Sequence, residues 1–521
     1  MACACTSTTC SYSLTSGSHI LLLVLLLLGL SSWSCCGLGS FGFDIHHRFS
    51  DPVKQILGSD GLPEKGSVEY YVAMAHRDHI IRGRHLAASN NQSPPAPLTF
   101  ANGNETFLLN NFGSLYYANV SVGTPSLSYL VALDTGSDLF WLPCDCSNTN
   151  SCVTGLETSS GQVLNLNIYS PNASSTSKKV PCGSNYLCSP NQCPSANSSD
   201  CAYSYAYVSN DTSTSGILVE DVLHLITDDD QSKAVDAQVT LGCGKNETGT
   251  FLEGAAPNGL IGLGLNNISV PSTLARNGLG PNSFSMCFGS DGIGRINFGN
   301  NGTSDQKATP FTVEPSFPTY NITITQINIG GGNVSQMEFN AIFDSGTSFT
   351  YLSDPAYTFI SESFNSQVTE KRYPSNSQIP FEYCYYLSAN QMQYTSYTTP
   401  TVNLTMKGGD QYFVTDPTVL FSTQAGYFYC LGLLKSEGIN IIGQNFMTGY
   451  RIVFNHDKMV LGWKASNCYN DSNSQTSPTN QSQSPALAVN PKSTAPSSHS
   501  PKLKAFTYTL VMLLVSFFAI V

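Results

Sequence analysis

Apolar residues fall into one block near each end of the chain and into many short, interrupted runs between them. Residues 20–30, ILLLVLLLLGL, have the length of a secretory signal core and are followed by small residues, so residues 1–38 are expected to be a signal peptide. An uncleaved anchor is the alternative, but the run is short for a bilayer span. Residues 505–521, AFTYTLVMLLVSFFAIV, are apolar to the end of the sequence, with no basic tail. Between these blocks, SLYYANVSVGTP (114–125), YLVALDTGS, TYNITITQINIG and YRIVFNHDKMVLGW alternate over a few residues and break at Gly, Asn or Pro. That pattern predicts half-buried strands and turns. Helical periodicity is scarce. Residues 354–368, DPAYTFISESFNSQV, read as one helix capped by Asp354 with Pro355 in its first turn. The expected class is all-β.

Composition narrows this picture. At 521 residues the chain is too long for one compact domain. Its net charge of −12 and lack of a basic stripe argue against a nucleic-acid partner. The charge is uneven: residues 101–470 hold 14 Lys/Arg against 28 Asp/Glu, whereas residues 43–100 hold six of each and five of the nine histidines (His46, His47, His76, His79 and His85), so a basic-leaning segment precedes an acidic body. Five of the 17 cysteines lie in the leader, and the other twelve, from Cys144 to Cys468, suit six disulfides in an oxidising compartment. Sequons at Asn104, Asn119, Asn172, Asn197, Asn210, Asn246, Asn267, Asn301, Asn321, Asn333 and Asn403 point to the same route. Residues 470–504 are rich in Ser, Asn, Gln and Pro and cannot form a core. With the apolar tail of 505–521 they resemble a GPI-attachment signal, with Ser493 or Ser497 as the lipidation site and the tail removed. A tail-anchored span is the alternative.

The chemistry is carried by a doublet. Residues 131–137 read VALDTGS and residues 341–347 read AIFDSGT, so three apolar residues lead to an Asp, a small hydroxyl residue, Gly and a second hydroxyl residue. The two aspartates, Asp134 and Asp344, lie 210 residues apart, which reads as an internal duplication. The apolar residues bury the strand that delivers each Asp. Gly136 and Gly346 permit a tight turn. Bringing two such loops together places two carboxyls in contact, where they share one proton. One then serves as base toward a water and the other as acid toward a carbonyl, with no metal or other cofactor required. His224 and His456 lie far from any nucleophile motif and read as surface residues.

Over about residues 112–468 the sequence resembles the pepsin family of aspartic peptidases, in particular its atypical, nepenthesin-like plant branch. Trp141, Leu260-Ile261-Gly262 and Ile441-Ile442-Gly443 match family elements, as do GLIGLGLNNISVPSTL (259–274), SFSMCF (283–288) and IIGQNFMTGYRIVF (441–454). The resemblance implies two β-lobes, 101–300 with Asp134 and 301–469 with Asp344, around a peptide cleft. It implies that Thr135 and Ser345 bond between lobes beneath the dyad, while Ser137 and Thr347 bond the outer carboxylate oxygens. In CAYSYAYVSNDTSTSG (201–216), Tyr207 best matches the flap tyrosine supported by Trp141. The cysteines imply nested pairs Cys182–Cys201 and Cys188–Cys193, together with Cys384–Cys430 and Cys287–Cys468. For the remaining four, Cys144–Cys152 and Cys146–Cys243 are favoured. A zinc site is the rival for the cluster, but it contains no His.

By the same resemblance, residues 39–100 are a propeptide that fills the cleft, with Arg48, Lys54 or Lys65 as bases that could pair with cleft carboxylates. The expected activity is endoproteolysis of polypeptides with bulky apolar residues about the scissile bond. The expected setting is the outer face of the plasma membrane or the cell wall. Both loops occur in one chain, so a monomer suffices. The alternative is an inactive relative that binds proteins or glycans.

Overall fold

The computed structural model describes residues 116–468 apart from several loop segments, and before them residues 40–48, 65–75 and a few others, including Asp78. The expected signal peptide, linker and tail, Asn104, Asn197, Asn210, Lys54 and both lipidation candidates lie outside the described residues. Among the described residues no helix is long and apolar enough to cross a membrane.

The alternating runs form strands as expected. Tyr116–Val122 pairs antiparallel with Leu127–Asp134, and Tyr450–Asn455 forms a hairpin with Val460–Ala465. In Asn333–Phe343 the side chains alternate in exposure until Ala341 and Phe343 enter the core. This period of two is what a strand with one wet face requires. The helix is shorter than expected, Ala356–Asn365; Asp354 lies before it and accepts a hydrogen bond from the Thr358 amide.

The strands build two sheet systems that repeat one arrangement. In the first, Leu260–Gly262 lies between Leu127–Asp134 and Trp141–Pro143, and the latter pairs parallel with Ala234–Thr248. In the second, Ile441–Ile442 lies between Asn333–Phe343 and Thr350–Leu352, and the latter pairs parallel with Leu433–Lys435. The fold is thus the bilobal, mostly β pepsin-like architecture. The first sheet continues past the duplicated unit, through Tyr116–Val122, to Ile293–Phe298, Ser283–Phe288 and Tyr450–Asn455. One further strand, Phe41–His47, inserts between Tyr116–Val122 and Ile293–Phe298. The leader segment is therefore part of the sheet.

Both Gly residues beneath the catalytic-type loops are required by close backbone approach. A Cβ on Gly262 would lie 2.2 Å from the Asp138 carbonyl carbon, and one on Gly443 would lie 2.1 Å from the Phe349 oxygen. These distances explain why each hydrophobic-hydrophobic pair must be followed by Gly.

The six disulfides among Cys144–Cys468 are present, but four pairings differ from expectation. Cys144 joins Cys243, not Cys152, and Cys146 joins Cys152, not Cys243. The parallel register that sets Leu142 opposite Cys243 brings the Cys144 and Cys243 Cα atoms to 4.9 Å. Cys182 joins Cys193, not Cys201, and Cys188 joins Cys201, not Cys193. The bridges interlock because Cys201 heads the strand Ala202–Ala206 and packs with Cys188 in one buried cluster, while Cys182 and Cys193 are only partly buried. Cys287–Cys468 and Cys384–Cys430 are as expected. Asn403 is a second correction. It is buried within a strand, and its Nδ2 donates to Gln411, so the amide is not open to glycan transfer. Asn119, Asn172, Asn246, Asn267 and Asn301 are exposed, and Asn321 and Asn333 are partly so.

Candidate active site

Each aspartate sits where a strand ends against the Gly-bearing segment below it. The Leu263 amide donates to the Asp134 carbonyl, and the Asp344 amide donates to the Ile442 carbonyl. Beyond these points the two loops are near copies. The Gly136 amide donates to Asp134 Oδ1 at 2.9 Å and the Gly346 amide to Asp344 Oδ1 at 2.8 Å. Ser137 Oγ donates to Asp134 Oδ2 at 2.5 Å and Thr347 Oγ1 to Asp344 Oδ2 at 2.6 Å. A Cβ on Gly346 would lie 3.1 Å from Asp344 Oδ1 and 4.0 Å from Asp134 Oδ1, so the two carboxylates converge on one point.

The loops are tied beneath this point. Thr135 Oγ1 donates to Asp344 Oδ1 at 3.5 Å and lies 3.4 Å from Ser345 Oγ. Thr135, Ser137, Ser345 and Thr347 are all buried, which shields these bonds from water. Burial pushes the Asp134 pKa above its usual value, and the like charge of Asp344 adds to the rise, while Ser137 and Gly136 partly oppose it.

The hairpin of Ala202–Ala206 and Ser213–Ile226 carries three tyrosines on one face. Tyr207 Oη accepts from Trp141 Nε1 at 2.9 Å, the Asp138 amide donates to Tyr205 Oη at 3.4 Å, and Tyr203 Oη lies 2.9 Å from Thr214 Oγ1. Tyr207 is thus the residue joined to Trp141, in the register expected from the sequence.

Other residues of the site were not singled out in the sequence. Beside Thr135 and Asp344 a hollow is lined by Tyr320, Ile342 and Ile439, together with Ile441 of the matched Ile441-Ile442-Gly443 element. Gln192, from the Cys-rich stretch, lines a second hollow with Leu139, Tyr205 and Asn266. Glu247 lies opposite Thr214, near the tip of the hairpin, and is buried, with the Val153 backbone beside its carboxylate. Burial pushes its pKa up to about 8. No periodicity in the sequence marks any of these. His456 is a correction: it is buried, with Nε2 2.7 Å from Tyr320 Oη, and burial lowers its pKa to about 4. His224 is partly exposed and lies 2.8 Å from Asp236.

Two β-lobes that deliver matched Asp loops to one junction, with a hairpin tyrosine tied to Trp141, define the pepsin-like acid-protease class. Comparison with known proteins agrees. Residues 116–300 match the family model described as Xylanase inhibitor N-terminal, and residues 319–465 match Xylanase inhibitor C-terminal. Aspartyl protease family protein 1 of Arabidopsis thaliana is 54% identical, over 96% of this chain and 98% of its own. Aspartic proteinase-like protein 1 of the same plant is 37% identical, over 88% and 91%. Aspartic proteinase nepenthesin-2 of Nepenthes gracilis is 26% identical, over 68% and 78%. The crystal structure of Basic 7S globulin from soybean shares the fold, with a TM-score of 0.51 and 21% identity over 67% of this chain and 91% of that one. The chain belongs to the pepsin-like aspartic protease family, among its plant members.

Proposed function

We propose that Asp134 and Asp344 are the catalytic dyad of an aspartic endopeptidase acting on polypeptides. The observation that supports this best is the mirrored hydrogen-bond set that aims both carboxylates at one point, cross-linked by Thr135. Two carboxyls so placed cannot both ionise readily, so they share one proton. The charged member draws a proton from a water as it attacks the scissile carbonyl, and the protonated member donates toward the carbonyl oxygen. The buried hydroxyl and amide donors hold the geometry before substrate arrives, which limits reorganisation during the reaction. The isoleucine-lined hollow beside Asp344 suits a bulky apolar side chain next to the scissile bond.

Asp134→Asn and Asp344→Asn, each in the processed protein with a denatured protein as substrate, test the dyad. Each variant should lose at least about a thousandfold in rate at every pH. Wild-type rates in either one would overturn the assignment. The inactive-binder reading draws no support from the site, because both carboxylates keep their full set of donors.

The six described disulfides and the exposed sequons support passage through an oxidising, glycosylating route. With residues 1–38 as signal and 505–521 as a removed tail, the protein would be held by a lipid at the outer membrane face. Release from cells by a phosphatidylinositol-specific phospholipase tests this, and full retention after that treatment would count against it.

A further inference from the structure

Tyr320 touches both halves of the candidate site. Its backbone carbonyl accepts from the Phe343 amide at 3.0 Å, one residue before Asp344. Its hydroxyl donates to the Leu263 carbonyl, and the Leu263 amide in turn donates to the Asp134 carbonyl at 2.9 Å. One buried residue thus joins the strand that delivers Asp344 to the segment beneath Asp134. Its ring also walls the isoleucine-lined hollow beside Thr135 and Asp344.

The hydroxyl has a second partner. His456 Nε2 lies 2.7 Å from it, and His456 is itself buried, edge-on to Phe284 at 6.0 Å. A phenol has one proton and a carbonyl can only accept, so the Tyr320 proton is committed to Leu263 and Nε2 must donate to Tyr320 Oη. His456 Nδ1 is buried and has no hydrogen-bond partner among the described residues, so a second proton on the ring would meet no acceptor. Phe284, Phe454 and Phe311 pack around Tyr320. The titratable groups acting on the pair are Asp457, next in the chain and turned to the Asn282 amide at 3.0 Å, and Asp138 on the Tyr320 side. Burial outweighs the attraction of Asp457, which is why the His456 pKa falls to about 4.

We infer that Tyr320 is a positioning residue that couples the two catalytic loops, and that it does so only while His456 is neutral with its proton on Nε2, so that protonation of His456 uncouples the loops in acid. This deepens the proposed function and rests on its assignment of the dyad. A charged ring needs water or an acceptor at Nδ1, and it reaches neither without leaving its place against Tyr320. The Tyr320 hydroxyl then loses its donor, and the tie to Leu263 loses the group that orients it.

Three variants of the processed protein test this, with kcat expressed per folded molecule. Tyr320→Phe keeps the ring in the hollow and should lower kcat about tenfold or more, with KM within about twofold of wild type. His456→Leu should lower kcat about tenfold at about pH 6. His456→Gln offers an amide donor that does not titrate, and should restore most of that loss. The unfolded chain protonates this histidine near 6.5 and the folded chain at about 4, so its burial costs stability progressively as pH falls through that window. Wild type should therefore lose kcat and melting temperature more steeply in acid than His456→Gln, while titration of the dyad is common to both and cancels in the comparison. Wild-type kcat in Tyr320→Phe or His456→Leu would overturn the coupling, and parallel pH courses in wild type and His456→Gln would overturn the acid release. The ring nitrogen shifts of His456 in wild type, assigned by their loss in His456→Gln, need neither the Leu variant nor activity. They should show a protonated Nε2 and a bare Nδ1 at about pH 6, and a proton on Nδ1 would overturn the proposal. Should processed wild-type protein cleave nothing while the shifts and melting courses are as expected, the dyad assignment fails and the tie between Tyr320 and His456 stands.

Discussion

Thr135 Oγ1 and Ser345 Oγ, 210 residues apart in the chain, meet at 3.4 Å beneath the two aspartates. One hydroxyl from each lobe thus fixes the spacing of the loops. Thr135→Ala and Ser345→Ala should each lower kcat about tenfold, from loss of one buried hydrogen bond. Because both remove one contact, the double variant should lose less than the product of the two. Thr135→Ser should retain most activity. Steady-state kinetics on a peptide substrate would reveal additive losses if the contact does not couple the loops.

Gly262 and Gly443 have no room for a methyl group. Gly262→Ala and Gly443→Ala should destabilise the protein by about 3 kcal/mol or more, since backbone atoms rather than a flexible side chain must move. Gly331→Ala meets no atom within 4 Å and serves as a comparison, although its φ of +76° adds strain. Thermal unfolding checks the order: Gly262→Ala melting as high as wild type would contradict it.

Glu247 gives stability a pH dependence. The folded state holds its proton up to about pH 8, whereas the unfolded chain releases it near 4.5. The native state therefore binds more protons across that window, and stability falls as pH rises from about 4.5 to about 8. The loss from this group is at most about 5 kcal/mol. Glu247→Gln should flatten the slope in urea titrations at several pH values. A slope that is unchanged would assign it to other groups.

Tyr207→Phe removes the acceptor for Trp141 Nε1 while leaving the ring packed against Phe251. It should reduce kcat/KM about five- to thirtyfold with little change in melting temperature. Trp141→Phe should cost activity and stability together, because Trp141 is fully buried. Equal kcat/KM in wild type and Tyr207→Phe would remove this bond from the substrate-binding machinery.

Non-reducing peptide mapping should recover Cys182–Cys193 and Cys188–Cys201. Cys144–Cys243 closes a separation of 99 residues and Cys146–Cys152 one of 6, so loop-closure entropy favours the former as the stronger brace. Its removal should cost about 4.7 kcal/mol, against about 2.4 for the short loop. Equal losses would show that chain entropy does not govern these bridges.

The dyad was legible because its two loops repeat the same residue order, and Gly262 and Gly443 because each follows an apolar pair at a matching place. The cysteine pairings were not. Four cysteines within twenty residues allow three connectivities, and only the backbone path between Cys182 and Cys201 selects one. Asn403 carries a sequon on the wrong side of its strand, a matter decided by pairing with Asn328 and Phe413 far along the chain. His456 stands beside a turn, yet Tyr320 and Phe284 close around it from other strands. Each miss depends on neighbours remote in sequence.

The Cys287–Cys468 bridge has a mechanical consequence. Tension applied to the chain beyond residue 468 passes through sulfur into Ser283–Phe288, a strand hydrogen-bonded on both sides. The load then shears many rungs at once, whereas without the bridge it would unzip Val460–Ala465 one rung at a time. A pull on this end of the fold is thereby taken up inside the sheet rather than at its last hairpin.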